Sequence, residues 1–235
     1  MTSDQMKKAA AEAAMAYVQP GIKLGLGTGS TVQYFIAALG AKVKQGLEVL
    51  CVPTSNATAK QAQDLGIPLT TLEQHSFLDM TVDGADEFDG DFNLIKGGGG
   101  ALLLEKIVAS SSRQMMVIAD KSKQVKTLGK VPLPIELVPF GVKATAWKIE
   151  RALKYCGLKG SMVLRVKDGK PFRTEGGHVI LDVSLGAIPD ARKLSRALSM
   201  VPGVVDHGLF LDLCGVVLVG TAKGVEKIIK PPRAA

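Results

Sequence analysis

Three stretches of the chain combine residue types that can do chemistry with spacings that invite it. The first, "LGLGTGSTV" at 24–32, holds three glycines and three hydroxyl residues between an apolar run and a helix-like run. Glycine lets a ligand approach the main chain, and hydroxyls with the amides of a following helix start can donate to phosphate oxygens. The second, "VDGADEFDGDFN", contains Asp83, Asp86, Glu87, Asp89 and Asp91. Asp83 and Asp86, in a strand-end loop with Gly84 and Ala85 between them, could hydrogen-bond sugar hydroxyls or relay a proton, or the stretch could be an acidic surface turn. Glu87, Asp89 and Asp91 are expected to be solvated. In the third, "IKGGGGALLLEKIV", Lys96 precedes four consecutive glycines and Glu105 falls in the first turns of the next helix. Four glycines are costly to order, so a fold that keeps them needs bare backbone there. With Leu103, Leu104, Ile107 and Val108 facing the core, Glu105 is a carboxylate among apolar neighbours, suited to accept a proton. Asp120, Ser122 and Lys123, after "MMVIAD", close another strand end, with Lys123 available to an anion.

Several chemistries lack what they need. A dinucleotide fingerprint requires glycine where Ser30 stands, and a nucleoside-triphosphate loop requires a lysine that is missing. An EF-hand beginning at Asp89 would need glycine at Leu94 and glutamate at Gly100. Cys51, Cys156 and Cys214 are scattered, which disfavours a zinc site or disulfide framework and makes them reduced packing residues. His75, His178 and His207 share no spacing with a suitable serine, so they are expected to be structural or superficial. Trp147 is expected to anchor a helix, and Met115 and Met116 to pack a strand.

These residues need elements to position them. The segments "IKLGLG", "STVQYFIAALG", "LEVLCVPTS" and "NATAKQAQDLG" alternate strand, helix, strand, helix, and "LDMTVDGADE", "ALLLEKIVASS" and "QMMVIAD" continue the pattern. Such alternation favours a parallel, doubly wound sheet that gathers ligands beyond the carboxyl ends of its strands. From about residue 130 the order becomes that of a split βαβ unit. The expected fold is α/β, a Rossmann-like parallel-sheet domain (1–130 plus 207–235) with a smaller α+β, ferredoxin-like domain (131–206). The 29 Lys and Arg against 22 Asp and Glu give a net charge of +7, which suits phosphorylated metabolites, membranes or nucleic acid. Only 5% aromatic content and no dense basic run argue against nucleic acid. The N-terminus has a capping-box spacing at Thr2 and Gln5 rather than a continuous apolar segment, so no membrane partner is expected and the cytoplasm is the simplest location.

In series, "GLGTGST", "VDGADE", "IKGGGGALLLEK" and "IADKSKQV" resemble type A ribose-5-phosphate isomerase, as do "GHVILDV", "VPGVVDHGLF" and "GTAKGVEKIIK". The resemblance implies an aldose-ketose isomerase interconverting ribose 5-phosphate and ribulose 5-phosphate, with no metal or organic cofactor, assembled as a homodimer or homotetramer. It puts the proton acceptor on Glu105 and the substrate loops on Thr28, Gly29, Ser30 and Thr31, on Asp83 to Asp86, and on Lys96, Gly97, Gly98 and Gly99. Lys123 is a further substrate lysine, and Lys7 is a candidate for the phosphate. Enediolate chemistry then makes Lys96 and the glycine amides oxyanion stabilisers, and Asp83 with Asp86 the assistants of ring opening. The family's Asp-Asn-Gly-Asn-like turn is here "TEGGHVILD", with Glu175 and His178. The rivals are a related sugar-phosphate deaminase and a non-catalytic sugar-phosphate-binding module.

Overall fold

The computed structural model describes residues 1–231, so the last four residues of the expected 207–235 segment lie outside the described residues. The chain first forms α1 (Ser3–Ala14), β1 (Ile22–Leu26), α2 (Ser30–Val43), β2 (Val49–Pro53), α3 (Asn56–Asp64) and β3 (Met80–Asp83). Next come β4 (Glu87–Phe88), β5 (Leu94–Ile95), α4 (Leu102–Ser110), β6 (Met115–Asp120), β7 (Leu133–Leu137), α5 (Val142–Tyr155) and β8 (Ser161–Leu164). A small hairpin of β9 (Val166–Lys167) and β10 (Lys170–Pro171) precedes β11 (Val179–Ser184), α6 (Ala191–Ser199), β12 (Val204–His207) and β13 (Leu209–Phe210). Strands β14 (Cys214–Thr221) and β15 (Gly224–Ile229) close the described chain.

Two compact units result. The larger takes Met1–Ala85, Leu104–Gln124 and the described residues from Asp212 onward. Its six-stranded sheet runs β15-β14-β6-β3-β1-β2, parallel throughout except for the β14–β15 hairpin. Parallel strands buried on both faces read as apolar runs, and all six residues of β6, "MMVIAD", are buried. One face carries α1 and α2 over Leu24, Leu26, Met116, Ile118 and Leu218, while Val52, Leu78 and Val108 cluster separately. The capping box expected at Thr2 is formed: its hydroxyl accepts from Gln5 N–H, and the Gln5 side chain accepts from Thr2 N–H.

The smaller unit comprises Asp86–Leu103 and Val125–Leu211. Its four-stranded antiparallel sheet has the order β12-β7-β11-β8, the arrangement of a split βαβ unit. Leu137, Ile149, Leu181, Leu194 and Leu198 form its core. Residues 86–103, 125–130 and 207–211, expected with the larger domain, pack here instead. The cause is long-range pairing: β5 joins β13 and β4 in a three-stranded sheet, and Lys96 N–H donates to Gly208 O at 2.9 Å.

Trp147 does not anchor α5. Its side chain is 57% exposed, and the helix is held instead by Thr145, Ile149 and Leu153. Met115 and Met116 are buried in β6 as expected. Cys51 and Cys214 are buried free thiols whose pKa burial pushes up to about 12, whereas Cys156 is half-buried. Ellman titration of the native protein at pH 8 should therefore label Cys156 within minutes and the other two only after denaturation; three fast thiols would refute this placement. In β14, any side chain at Gly220 would strike the main-chain carbonyl of Met6 in α1. Gly220→Ala should lower the thermal unfolding midpoint by roughly 3–10 °C, and an unchanged midpoint would count against this helix–strand contact.

Candidate active site

In the larger unit the parallel strands β6, β3, β1 and β2 are neighbours, so the loops leaving their carboxyl ends share one edge. Asp83 ends β3 fully buried. Its Oδ1 accepts the N–H of Gly84 at 2.7 Å and of Thr28, at the end of β1, at 3.2 Å. A Cβ on Gly27 would occupy the space of the Asp83 carboxylate, which is why the glycine loop begins there.

The loop divides its labour. Thr28 Oγ1 lies 2.8 Å from the hydroxyls of Thr54 and Ser55 and 3.2 Å from that of Thr58, and Thr58 donates to Gly27 O at 2.8 Å. The Thr28 hydroxyl thus belongs to a cluster fastening β1 to the start of α3. Gly29, at φ +130°, is the N-cap of α2 and supplies no side-chain cap, and no acidic residue lies in the first turn. Ser30 is exposed and Thr31 half-exposed, so the first turn of α2 can receive an anion.

Glu105 sits in the first turn of α4 and is only 4% exposed. The buried stripe of α4 is Leu102, Glu105, Val108 and Ala109, with Leu103 and Leu104 half-buried and Ile107 exposed. The expected stripe of Leu103, Leu104, Ile107 and Val108 is therefore corrected by a rotation of the helix that carries Glu105 inward. Space for Val108 is left by Gly25 of β1, where a Cβ would clash with Val108 and Thr81. Glu105 lies one turn earlier on the same face, towards the carboxyl ends of β1 and β3.

Lys123 is half-buried in the 3-10 turn after β6, whose start is fixed by Asp120 accepting from Ser122 N–H at 2.9 Å. Met6 of α1 packs on Gly220, the register partner of Asp120. Lys7 is paired with Asp4 at 3.4 Å. The larger unit contains Thr28 to Thr31, Asp83 to Ala85, Glu105, Lys123 and Lys7. Asp86, Lys96 and Gly97 to Gly99 belong to the smaller unit.

There, Asp86 Oδ2 accepts Gly98 N–H at 2.8 Å. Lys96 is buried, with its ammonium 5.5 Å from the Phe210 ring centroid. Gly97 and Gly100 adopt φ values of +102° and +88°, and a Cβ on Gly100 would enter the ring of Phe172. Arg165, which the sequence reading did not single out, donates from Nη1 to the carbonyls of Gly97 at 2.9 Å and Gly98 at 3.1 Å. Its position 67 residues away in sequence offered no local signal.

The expectation of a solvated Glu87 is overturned. It is buried, and its two oxygens accept Gly129 N–H at 2.8 Å and Val131 N–H at 2.7 Å. Asp89 is half-buried and organises its own turn, accepting from Asp91 N–H and Asn93 N–H, both at 2.9 Å. Asp91 is exposed, as expected. His178 Nδ1 meets Glu136 Oε1 at 2.9 Å, and Thr174 donates to the same oxygen at 2.8 Å, tying the "TEGGH" turn to β7. His207 is buried, with Nε2 3.2 Å from Ser195 Oγ.

The family model for "Ribose 5-phosphate isomerase A (phosphoriboisomerase A)" matches residues 50–224. The chain belongs to the ribose 5-phosphate isomerase A family. Among the relatives, a ribose-5-phosphate isomerase A from Rhodopseudomonas palustris (strain BisA53) is 55% identical over 98% of this chain and 96% of its own length. One from Brucella suis biovar 1 is 55% identical over 94% of this chain and 96% of its own. The ribose 5-phosphate isomerase of Plasmodium falciparum superposes with a TM-score of 0.91 at 41% identity, covering 97% of this chain and 99% of that one. A D-ribose-5-phosphate isomerase in complex with phospho-erythronic acid gives 0.90 at 38% identity, covering 97% of this chain and all of the other.

The family likeness leaves Glu87 a structural acid by its contacts. Glu87→Gln would turn an amide NH₂ towards a backbone donor, and urea unfolding should show a loss of about 1–3 kcal/mol. The exposed Asp91→Asn should change stability by less than about 0.5 kcal/mol, and equal effects of the two would overturn the assignment.

Proposed function

We propose that this chain interconverts D-ribose 5-phosphate and D-ribulose 5-phosphate, with Glu105 as the base. The observation that carries the residue assignment is a buried carboxylate in the first turn of α4, on the inward face of that helix. A buried acid on an otherwise apolar stripe is expensive to keep for packing alone, whereas proton transfer needs a positioned, water-shielded carboxylate.

The reaction conserves atoms and electrons within the sugar. After ring opening, the Glu105 carboxylate takes the proton from C2, and the C–H electron pair becomes the C1–C2 double bond as negative charge moves onto O1. The same carboxylic acid returns a proton to C1, and the O2 proton moves to O1, leaving the ketone at C2. Donors are needed where the charge develops, and Lys96 with the glycine-run amides left open to a ligand is assigned that role. Asp83, with Asp86, is assigned to ring opening and to the sugar hydroxyls. The first turn of α2 with Ser30 and Thr31, together with Lys123 and Lys7, would hold the phosphate, whose binding energy fixes the reacting carbons against the base.

Neither metal nor organic cofactor enters this scheme. A cytoplasmic location is part of the reading; among the described residues no helix is long and apolar enough to cross a membrane. Also part of it is a homodimer or homotetramer, supported by Phe140, Trp147, Tyr155 and Met200, all largely exposed.

NMR of ribose 5-phosphate with chelator-treated protein in heavy water tests the reading. Wild type should form ribulose 5-phosphate and incorporate deuterium at the exchanging carbon, at a rate unchanged by the chelator. Glu105→Gln should lose about 10²–10⁴-fold in rate while still binding the sugar phosphate. Binding without conversion by folded wild type would favour a sugar-phosphate-binding module, and release of ammonia from an amino-sugar phosphate a deaminase.

A further inference from the structure

The glycine run is held by a device that no part of the scheme above uses. Arg165 directly follows β8, and its own backbone is pinned on both sides: its N–H donates to Ile180 O and its carbonyl accepts from Phe172 N–H, each at 2.8 Å. Its side chain is mostly buried. Nε donates to Asp182 Oδ2 at 2.8 Å, Nη2 donates to Asp182 Oδ1, and Nη1 forks to the carbonyls of Gly97 and Gly98. Four of the five guanidinium N–H groups are thereby committed to protein acceptors, which leaves this arginine ill suited to binding phosphate itself. The ring of Phe172, 5.8 Å from the guanidinium, occupies the space that a side chain on Gly100 would need.

The consequence follows from peptide geometry. In a planar trans peptide the carbonyl and the N–H point in opposite directions. With the carbonyls of Gly97 and Gly98 both drawn to Nη1, the two N–H groups of those peptides face away from Arg165. The first, on Gly98, is taken by Asp86 Oδ2 at 2.8 Å. The second, on Gly99, belongs to an exposed stretch of bare backbone. A cation on the carbonyl also polarises the amide, making its N–H a stronger donor.

We infer that Arg165 is a positioning residue for the isomerisation, fixing the Gly98–Gly99 peptide so that its N–H donates to the oxyanion of the enediolate. Asp182 in turn holds the guanidinium in the plane from which its fork reaches both carbonyls. This rests on the isomerase reading. It adds to that reading a residue outside all four motifs and a specific donor within the glycine run.

An interaction realised mainly in the transition state lowers kcat when lost and leaves KM nearly untouched. The test is steady-state kinetics of Arg165→Ala, Arg165→Lys and Asp182→Asn with ribose 5-phosphate, with phospho-erythronic acid as an inhibitor whose carboxylate stands in for the enediolate oxygens. Arg165→Ala should lose about 10–100-fold in kcat with KM within about threefold of wild type, and the inhibitor should weaken in parallel with kcat. Arg165→Lys can satisfy one carbonyl but not the fork and should recover part of the loss. Asp182→Asn should fall between wild type and Arg165→Ala. Circular dichroism and thermal melts identify any variant that fails to fold; if Arg165→Ala does, the other two decide by the same criteria.

A folded Arg165→Ala with kcat within twofold of wild type, or with raised KM and unchanged kcat, would overturn the proposal. So would inhibitor affinity that stays constant while kcat falls. Wild type without isomerase activity would instead fail the underlying reading, and the inference with it.

Discussion

The geometry of the larger unit depends on one buried carboxylate. Asp83 sits at the end of a central parallel strand with no exposed surface, so its carboxyl oxygens must find their partners within the protein. It takes the N–H groups of Thr28 and Gly84, which ties the loop after β1 to the loop after β3. Gly27 is the other half of this constraint, because the space of its missing side chain holds the carboxylate. The hydroxyl cluster of Thr28, Thr54, Ser55 and Thr58 carries the same fastening across to β2 and α3. A cluster of this kind rigidifies a loop while leaving the following helix start, capped only by glycine, open to an anion.

The smaller unit solves a related problem with different groups. Ordering a residue of backbone costs about 1–2 kcal/mol, with glycine at the expensive end, so a run of four glycines holds one conformation only if its polar groups are individually engaged. Asp86 takes an N–H from the run, and Arg165 takes two carbonyls. Glu87 does the equivalent for the segment at 129–131 with two hydrogen bonds from one carboxylate. Charged side chains here serve the main chain, and the bare glycine backbone stays open to a ligand.

The sequence was legible where local signals agree. Strand and helix alternation, the capping box, the split βαβ order and the chemical identity of Glu105 are all short-range or periodic features, and the structure carries them. What it could not give were choices that depend on partners distant in the chain. The face of α4 was misjudged because Leu103, Leu104 and Ile107 are as apolar as the residues that are buried, and only Gly25 on β1 reveals where Val108 can sit. Glu87 looked like one more surface acid in an acidic turn, since its donors lie 42 and 44 residues away. Trp147 was expected to anchor its helix, yet Thr145, Ile149 and Leu153 already fill the inward face of that helix.

By itself, the sequence determined the fold class, the family and the chemical types on which catalysis can draw, because periodicity, glycine placement and motif order are properties of the chain read in one dimension. Only the tertiary structure decided which acids are buried, which face of α4 turns inward, and that Arg165 and Asp182 hold the glycine run. Those outcomes are set by β8 and β11 pairing beside one another and by carboxylates meeting backbone donors remote in sequence. Burial makes satisfying such groups obligatory, and which groups meet is a matter of three-dimensional adjacency.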